Sequence, residues 1–208
     1  MIDILIILIF SINHMQTRNK GLILSLIGVL ILSPDSLLIR LVNLDDFSLI
    51  FYRSALPVIT IFLFLLYIYR SNLLNSFLLI GKIGILYAIL YAITHVCFVY
   101  SIQNTSVANT LVLIAAAPIF AAIFSVFFLK EIPDYFTWLI IFIALLGMII
   151  IGWGSYTTSG IFGDLMALIV ALGMGFSMVL VRLYKNVDLV PACLIGCIIA
   201  ALYALPFD

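Results

Sequence analysis

Charge is what this sequence has least of. Only 9% of its 208 residues are Asp, Glu, Lys or Arg, while 66% are hydrophobic and the mean hydropathy is +1.39. A soluble domain of this length needs far more charge to cover its surface, so a soluble fold is excluded. Net charge is zero, which leaves no basic footprint for nucleic acid. Cysteine is scarce too: Cys97, Cys193 and Cys197 lie inside apolar runs, their number is odd, and no His stands at ligand spacing from the last two. They read as small packing residues rather than a disulfide framework or metal site, so no cofactor is expected. The chain also has no nucleotide-binding loop, which leaves ATP-driven pumping without support.

What the chain does have is apolar runs of about twenty residues, the length that crosses ~30 Å of hydrocarbon. Seven spans are expected, at 21–42, 47–69, 78–101, 106–129, 135–154, 161–183 and 188–207. The fold class is therefore an all-α integral membrane protein, a polytopic bundle whose main partner is the lipid bilayer. Short connections carry turn residues, among them Asp45-Asp46, Ser71-Asn72 and Lys130 to Asp134. Residues 1–20 read as an N-terminal cytoplasmic or interfacial segment. Their apolar part is too short to span and lacks the basic start and cleavage site of a signal peptide, and Met15 offers an alternative start. Basic residues alternate from one connection to the next: Arg18 and Lys20, then Arg70 and Lys82, Lys130, and Arg182 with Lys185. The connections between them hold none, with Arg40 counted to the end of the first span. This asymmetry predicts a cytoplasmic N-terminus, and the membrane expected is the inner or plasma membrane of a bacterium.

An internal repeat underlies the pattern. Gly21 to Asp46 lies on Gly163 to Asp188 without a gap, pairing Gly21 with Gly163, Arg40 with Arg182 and Asp46 with Asp188. Five spans separate the copies, so the second enters the membrane in the opposite direction, an inverted repeat of the kind that serves alternating access. Residues 21–154 form a first repeat of five helices, and 160–208 supply two helices of a second. Two full copies need about ten spans, so the expectation is a truncated chain, completed by a missing C-terminal half or by a homo-oligomer.

Three segments carry a family likeness. The first runs from Gly21 to Arg53, with the polar break Ser33-Pro34-Asp35-Ser36 and then Arg53 followed by Pro57. The second runs from Asn104 through small residues and Pro118 to Glu131. The third is Trp138 to Gly152, with Leu146-Gly147 and a terminal Gly. In these the chain resembles the EamA-type proteins of the drug/metabolite transporter superfamily, built from two five-helix repeats. The resemblance implies a transporter of a small organic solute. Asp35 departs from the small or amide residue more usual there, so no particular substrate carries over.

Against so apolar a background each ionisable residue at depth is informative, because it costs several kcal/mol unless paired or facing water. Helix rise places Asp35, Arg53 and His95 at one level in the outer half, roughly 10 Å down. Tyr87, Tyr91 and His95 recur at spacing four and share one helix face. That face is either the wall of a solute chamber or a set of hydrogen-bonding groups turned to neighbouring helices. Pro34 frees a carbonyl beside Asp35, which makes Asp35 either a coupling carboxylate at a hinge or the partner of Arg53 in a structural ion pair. Arg40 and Arg182 are expected to snorkel to the two interfaces. Asn109 and Gln103 either close the outer mouth or cap a helix start. Pro57 and Pro118 are expected kinks, Glu131 a structural turn, and Trp138 and Trp153 interfacial anchors.

The function expected is secondary transport of an amino-acid-like or other metabolite by alternating access. A seven-helix receptor is the first alternative; the cytoplasmic N-terminus and the lack of Lys in the last span weigh against it. A non-transporting membrane assembly protein is another. An enzyme is not expected, since Asp35 has no second buried Asp at its depth and no His-Glu-x-x-His motif is present. Cysteine substitutions at Lys130, Lys185, Asp46 and Thr158 test the topology. An impermeant thiol reagent added to intact cells should label positions 46 and 158 only, and the opposite pattern would overturn both the orientation and the inverted repeat.

Overall fold

The computed structural model describes residues 44–153 and 160–205, together with residues 23, 26, 35, 39, 41 and 42. Two compact units divide the chain, Met1–Val42 and Asn43–Asp208. In the first, residues 23, 26, 35, 39 and 41 are helical, with Ile39 buried and Asp35 half-buried. The segment 1–20, Pro34, Arg40 and most of the first expected span lie outside the described residues, as does the connection 154–159.

The second unit is a bundle of helices, and no strand occurs among the described residues. In chain order these are α1 (Asp46–Tyr69), α2 (Leu73–Leu79), α3 (Gly81–Asn104), α4 (Val107–Ile114), α5 (Ala117–Phe124), α6 (Tyr135–Trp153), α7 (Ile161–Leu183) and α8 (Val190–Ala204). Four helices are long and apolar enough to cross a membrane: α1, α3, α7 and the composite Val107–Leu129. Tyr135–Gly147 and Val190–Ala204 are shorter apolar helices. The protein is an all-α polytopic membrane protein.

Helix starts are satisfied by local oxygen acceptors, as orphan N–H groups require. Asp45 accepts from the Ser48 amide at 3.0 Å, which holds its carboxyl below the usual range. Asp134 accepts from the Thr137 hydroxyl and, at 3.1 Å, from its amide, with the same effect. Ser106 accepts from the Asn109 amide at 3.1 Å and opens α4.

Two expected boundaries shift for backbone reasons. The third span begins at Gly81 rather than residue 78, because Gly81 turns the chain at φ +55° and cuts off residues 73–79 as the separate helix α2. The fourth span is not one straight helix. Pro118 has no N–H to give the carbonyl of Ile114, and the ladder breaks at Ala115 and Ala116 before α5 resumes. Ser125–Leu129 then continues as a wider π turn and stops at Lys130, whose φ of 56° ends the helix. Pro57, by contrast, sits inside one continuous helix, with the Thr60 hydroxyl donating to the Pro57 carbonyl at 3.1 Å.

At the centre lies α3, which packs on α7, α8 and α1; α8 also packs on α1, and α7 on α4 and α5. Small residues make these approaches possible. Ala88, Ala92, Ala167, Ala171, Ala192 and Ala200 are buried between the helices. A Cβ on Gly196 would stand 2.8 Å from the Ala88 carbonyl, and one on Gly175 would stand 2.8 Å from the Ala117 carbonyl. Large apolar side chains such as Leu63, Phe64, Phe142 and Ile150 face outward, as lipid exposure allows. Gly196→Ala should lower the melting temperature in detergent, for a loss of about 1–3 kcal/mol from overpacking. Gly147, with nothing within 4 Å of an added Cβ, is the control: Gly147→Ala should leave stability unchanged or slightly raised.

Candidate functional site

Arg53 lies seven residues into α1 and His95 nine residues before the end of α3, so both stand roughly 10–14 Å inside the same end of the bundle. The structure brings them together: Arg53 Nη1 is 3.4 Å from His95 Nε2. Arginine is only a donor, so Nε2 can only accept in this contact, which requires the imidazole tautomer that carries its proton on Nδ1. The guanidinium also lies over the Phe98 ring, 4.7 Å from its centroid, in a cation–π contact. Tyr91 stacks on His95 with ring centroids 5.9 Å apart and an interplanar angle of 26°. Beside Arg53, the buried Ser54 hydroxyl makes no hydrogen bond to any described residue.

Tyr87 and Tyr91 continue this face of α3 toward α8. Tyr87 packs on a cluster of Ile80, Ala88, Leu189 and Ala192, with its hydroxyl against the Cys193 thiol, and Tyr91 meets Cys197 in the same way. A ladder of two phenols on α3 thus meets two thiols on α8, each pair four residues apart along its helix. In the sequence the two thiols read only as packing residues. Their common spacing of four was the signal for a shared polar seam.

The other expected site residues of the second unit stand apart from this group. Asp35 belongs to the first unit. Asn109 is buried at the start of α4 with its amide on Ser106, while Gln103 donates to the Leu44 carbonyl at 3.4 Å. Glu131 does more than end a turn, since it accepts from Arg182 at 2.6 Å in an exposed ion pair. At the same end Tyr69 donates to Asp188, whereas Thr105 donates to Asp164 at 2.8 Å at the opposite end. Ser101 and Thr110 share a buried hydrogen bond of 2.8 Å across the α3–α4 turn. None of these pairings is legible in the sequence, although span parity puts Glu131 and Arg182 at one end.

A separate apolar groove of about 320 Å³ opens between α3, α5 and α7, walled by Leu90, Ile93, Phe124, Leu172 and Phe176. Thr94 borders it, but its hydroxyl donates to the Tyr91 carbonyl at 2.9 Å and leaves the groove without a free polar group from that residue. Among the described residues no cluster of His, Cys, Asp and Glu is arranged to hold a metal ion.

A model of the EamA-like transporter family matches residues 19–153, well over half of the chain. The chain belongs to the EamA-like transporter family. Its members are membrane transporters of small solutes rather than enzymes. No curated protein and no solved structure matches the chain. The matched segment ends with α6, so α7 and α8, the helices most closely packed on α3, lie beyond it.

The Arg182–Glu131 pair is about half exposed on both sides, so its worth is at most ~1 kcal/mol. Glu131→Arg and Arg182→Glu should each lower the melting temperature slightly, and the double exchange should restore it. Additive losses in the double variant would show that the pair contributes nothing.

Proposed function

We propose that this EamA-like protein is a secondary transporter of a small organic solute, an amino-acid-like or other metabolite, working by alternating access in a bacterial inner membrane. The observation that carries this reading is the Arg53–His95 contact at membrane depth in a chain of a transporter family. Ionisable groups are held at such depth where they serve a solute or proton path. The aromatic rings of Phe98 and Tyr91 beside them suit an organic solute better than a bare ion.

Orientation in this reading follows charge. Arg70, Lys82, Lys130, Arg182 and Lys185 all belong to one end of the bundle, which faces the cytoplasm, while Asp45, Asp46 and Asp164 belong to the other. Residues 21–154 form the first repeat and residues 160–208 belong to a second of inverted orientation. Rocking of one repeat against the other would expose the Arg53 region alternately to the two sides. Tyr87 and Asn109 are further candidates for contact with solute or proton, and Asp35 is a candidate coupling carboxylate; Pro118 segments its helix and Glu131 holds Arg182 at the end of the bundle.

Membrane vesicles from cells expressing the chain, given an imposed pH gradient and a panel of radiolabelled amino acids and metabolites, test the proposal alongside Asp35→Asn, Arg53→Gln and the double variant. Both residues are assigned to the solute or proton path, so each single variant should lose most of its uptake. The double variant should lack uptake as well. Wild-type yield and uptake in all three variants would remove both residues from the mechanism.

A further inference from the structure

The Arg53–His95 contact has an asymmetry with chemical consequences. One partner is a permanent cation with five N–H donors; the other is a neutral ring accepting through a long hydrogen bond of 3.4 Å. On the transporter reading above, we propose that this pair is a combined anion and proton site: a carboxylate-bearing solute with an aromatic body binds between the guanidinium and the imidazole, and one proton is taken up on His95 Nε2 as it does so.

The step balances without a further reagent. The Nη1–H···Nε2 hydrogen bond breaks, and the carboxylate accepts from the guanidinium in its place, a stronger charge-assisted bond. Nε2 then faces a carboxylate oxygen lone pair against lone pair. A proton from water adds to Nε2, which becomes a donor, and the new N–H bonds to the oxygen. Solute and proton together add no net charge, which matters in a region where an uncompensated ion costs several kcal/mol. Anion binding and proton uptake each favour the other by the same free energy.

Geometry supplies the rest. A carboxylate bridging the two groups needs about 2.8 Å on each side, so the nitrogens must part from 3.4 Å to about 5 Å, a small separation of α1 from α3 or a turn of the Arg53 side chain. Phe98 covers one face of the guanidinium and Tyr91 lies nearly parallel to the imidazole, so the aromatic part of a solute finds flat apolar surfaces beside its anionic end. Among the described residues of this unit, the helices packed on α3 place these ionisable groups nearby. Arg53 comes from α1, the Cys193 and Cys197 thiols from α8 against Tyr87 and Tyr91, and α4 carries no titratable side chain. The charged residues of α7 sit at its two ends, Asp164 on Thr105 and Arg182 on Glu131.

Calorimetry on the detergent-purified full chain tests this with phenylacetate and its neutral isostere phenylacetamide, in buffers of different ionisation enthalpy so that protons are counted. We expect phenylacetate to bind at least tenfold more tightly than the amide. About one proton should be taken up per anion above neutral pH, and the affinity should fall by close to tenfold per pH unit there. Arg53→Lys should keep weakened anion binding with proton uptake intact. His95→Gln should still bind the anion but take up no proton and lose the pH slope; His14, the other histidine, remains in that variant. Equal binding of amide and acid, or proton uptake that survives in His95→Gln, would overturn the proposal. Uptake of a neutral or cationic solute by vesicles, with no phenylacetate binding, would sink the anion site and leave the transporter reading standing. Proton-linked phenylacetate binding without movement of any solute would do the reverse.

Discussion

In hydrocarbon, helices gain nothing from hiding apolar surface from one another, because lipid chains are as apolar as leucine. What holds them is closeness: dispersion contacts and interhelical hydrogen bonds that form only where backbones nearly touch. The approach of α7 and α8 to α3 is of this kind. Gly163 faces the Asn104–Thr105 backbone, where an added Cβ would come within 2.8 Å, and Gly196 faces the Ala88 carbonyl at the same distance. Around these points alanines, rather than leucines, fill the interfaces. Bulky residues sit outside, where lipid accommodates any shape.

That closeness also sets the polar chemistry. With α8 held against α3, Tyr87 and Tyr91 meet Cys193 and Cys197, and the ladder leads up the helix to His95 and on to Arg53 of α1. The three helices therefore share one seam that runs from apolar packing at Tyr87 to the Arg53 guanidinium beside His95. A polar group in this position is expensive unless its donors and acceptors are met, and here the Tyr87 and Tyr91 hydroxyls face thiols while His95 faces the Arg53 guanidinium. At the bundle's ends, where water returns, pairs such as Arg182–Glu131 and Thr105–Asp164 join matched and unmatched parts of the chain at modest energetic worth.

Interruptions in the helices have equally local causes. The π turn at Ser125–Leu129 and the break before Pro118 leave the Val107–Leu129 span segmented next to α7. Phe124 and Phe128 both pack on Phe176 of α7 there, with centroids 5.4 Å away in each case. A segmented helix seated on an aromatic cluster can bend at a defined place, which a straight ladder of backbone hydrogen bonds resists.

Several features of this protein were determined by the sequence by itself. Runs of about twenty apolar residues admit only helices across a bilayer, because every backbone group must be satisfied within its own segment. Five of the expected spans, 47–69, 106–129, 135–154, 161–183 and 188–207, accordingly coincide with described helices to within a few residues. The spacing of Tyr87, Tyr91 and His95 likewise guaranteed a common face. Tertiary structure alone decided what that face meets. Helical periodicity specifies an angle around one axis and says nothing of the neighbour, so the partners Cys193 and Cys197, like the Glu131–Arg182 pair across 51 residues, followed only from which helices came together. The break at Gly81 was equally hidden, since a glycine in an apolar run reads the same whether its φ is helical or +55°.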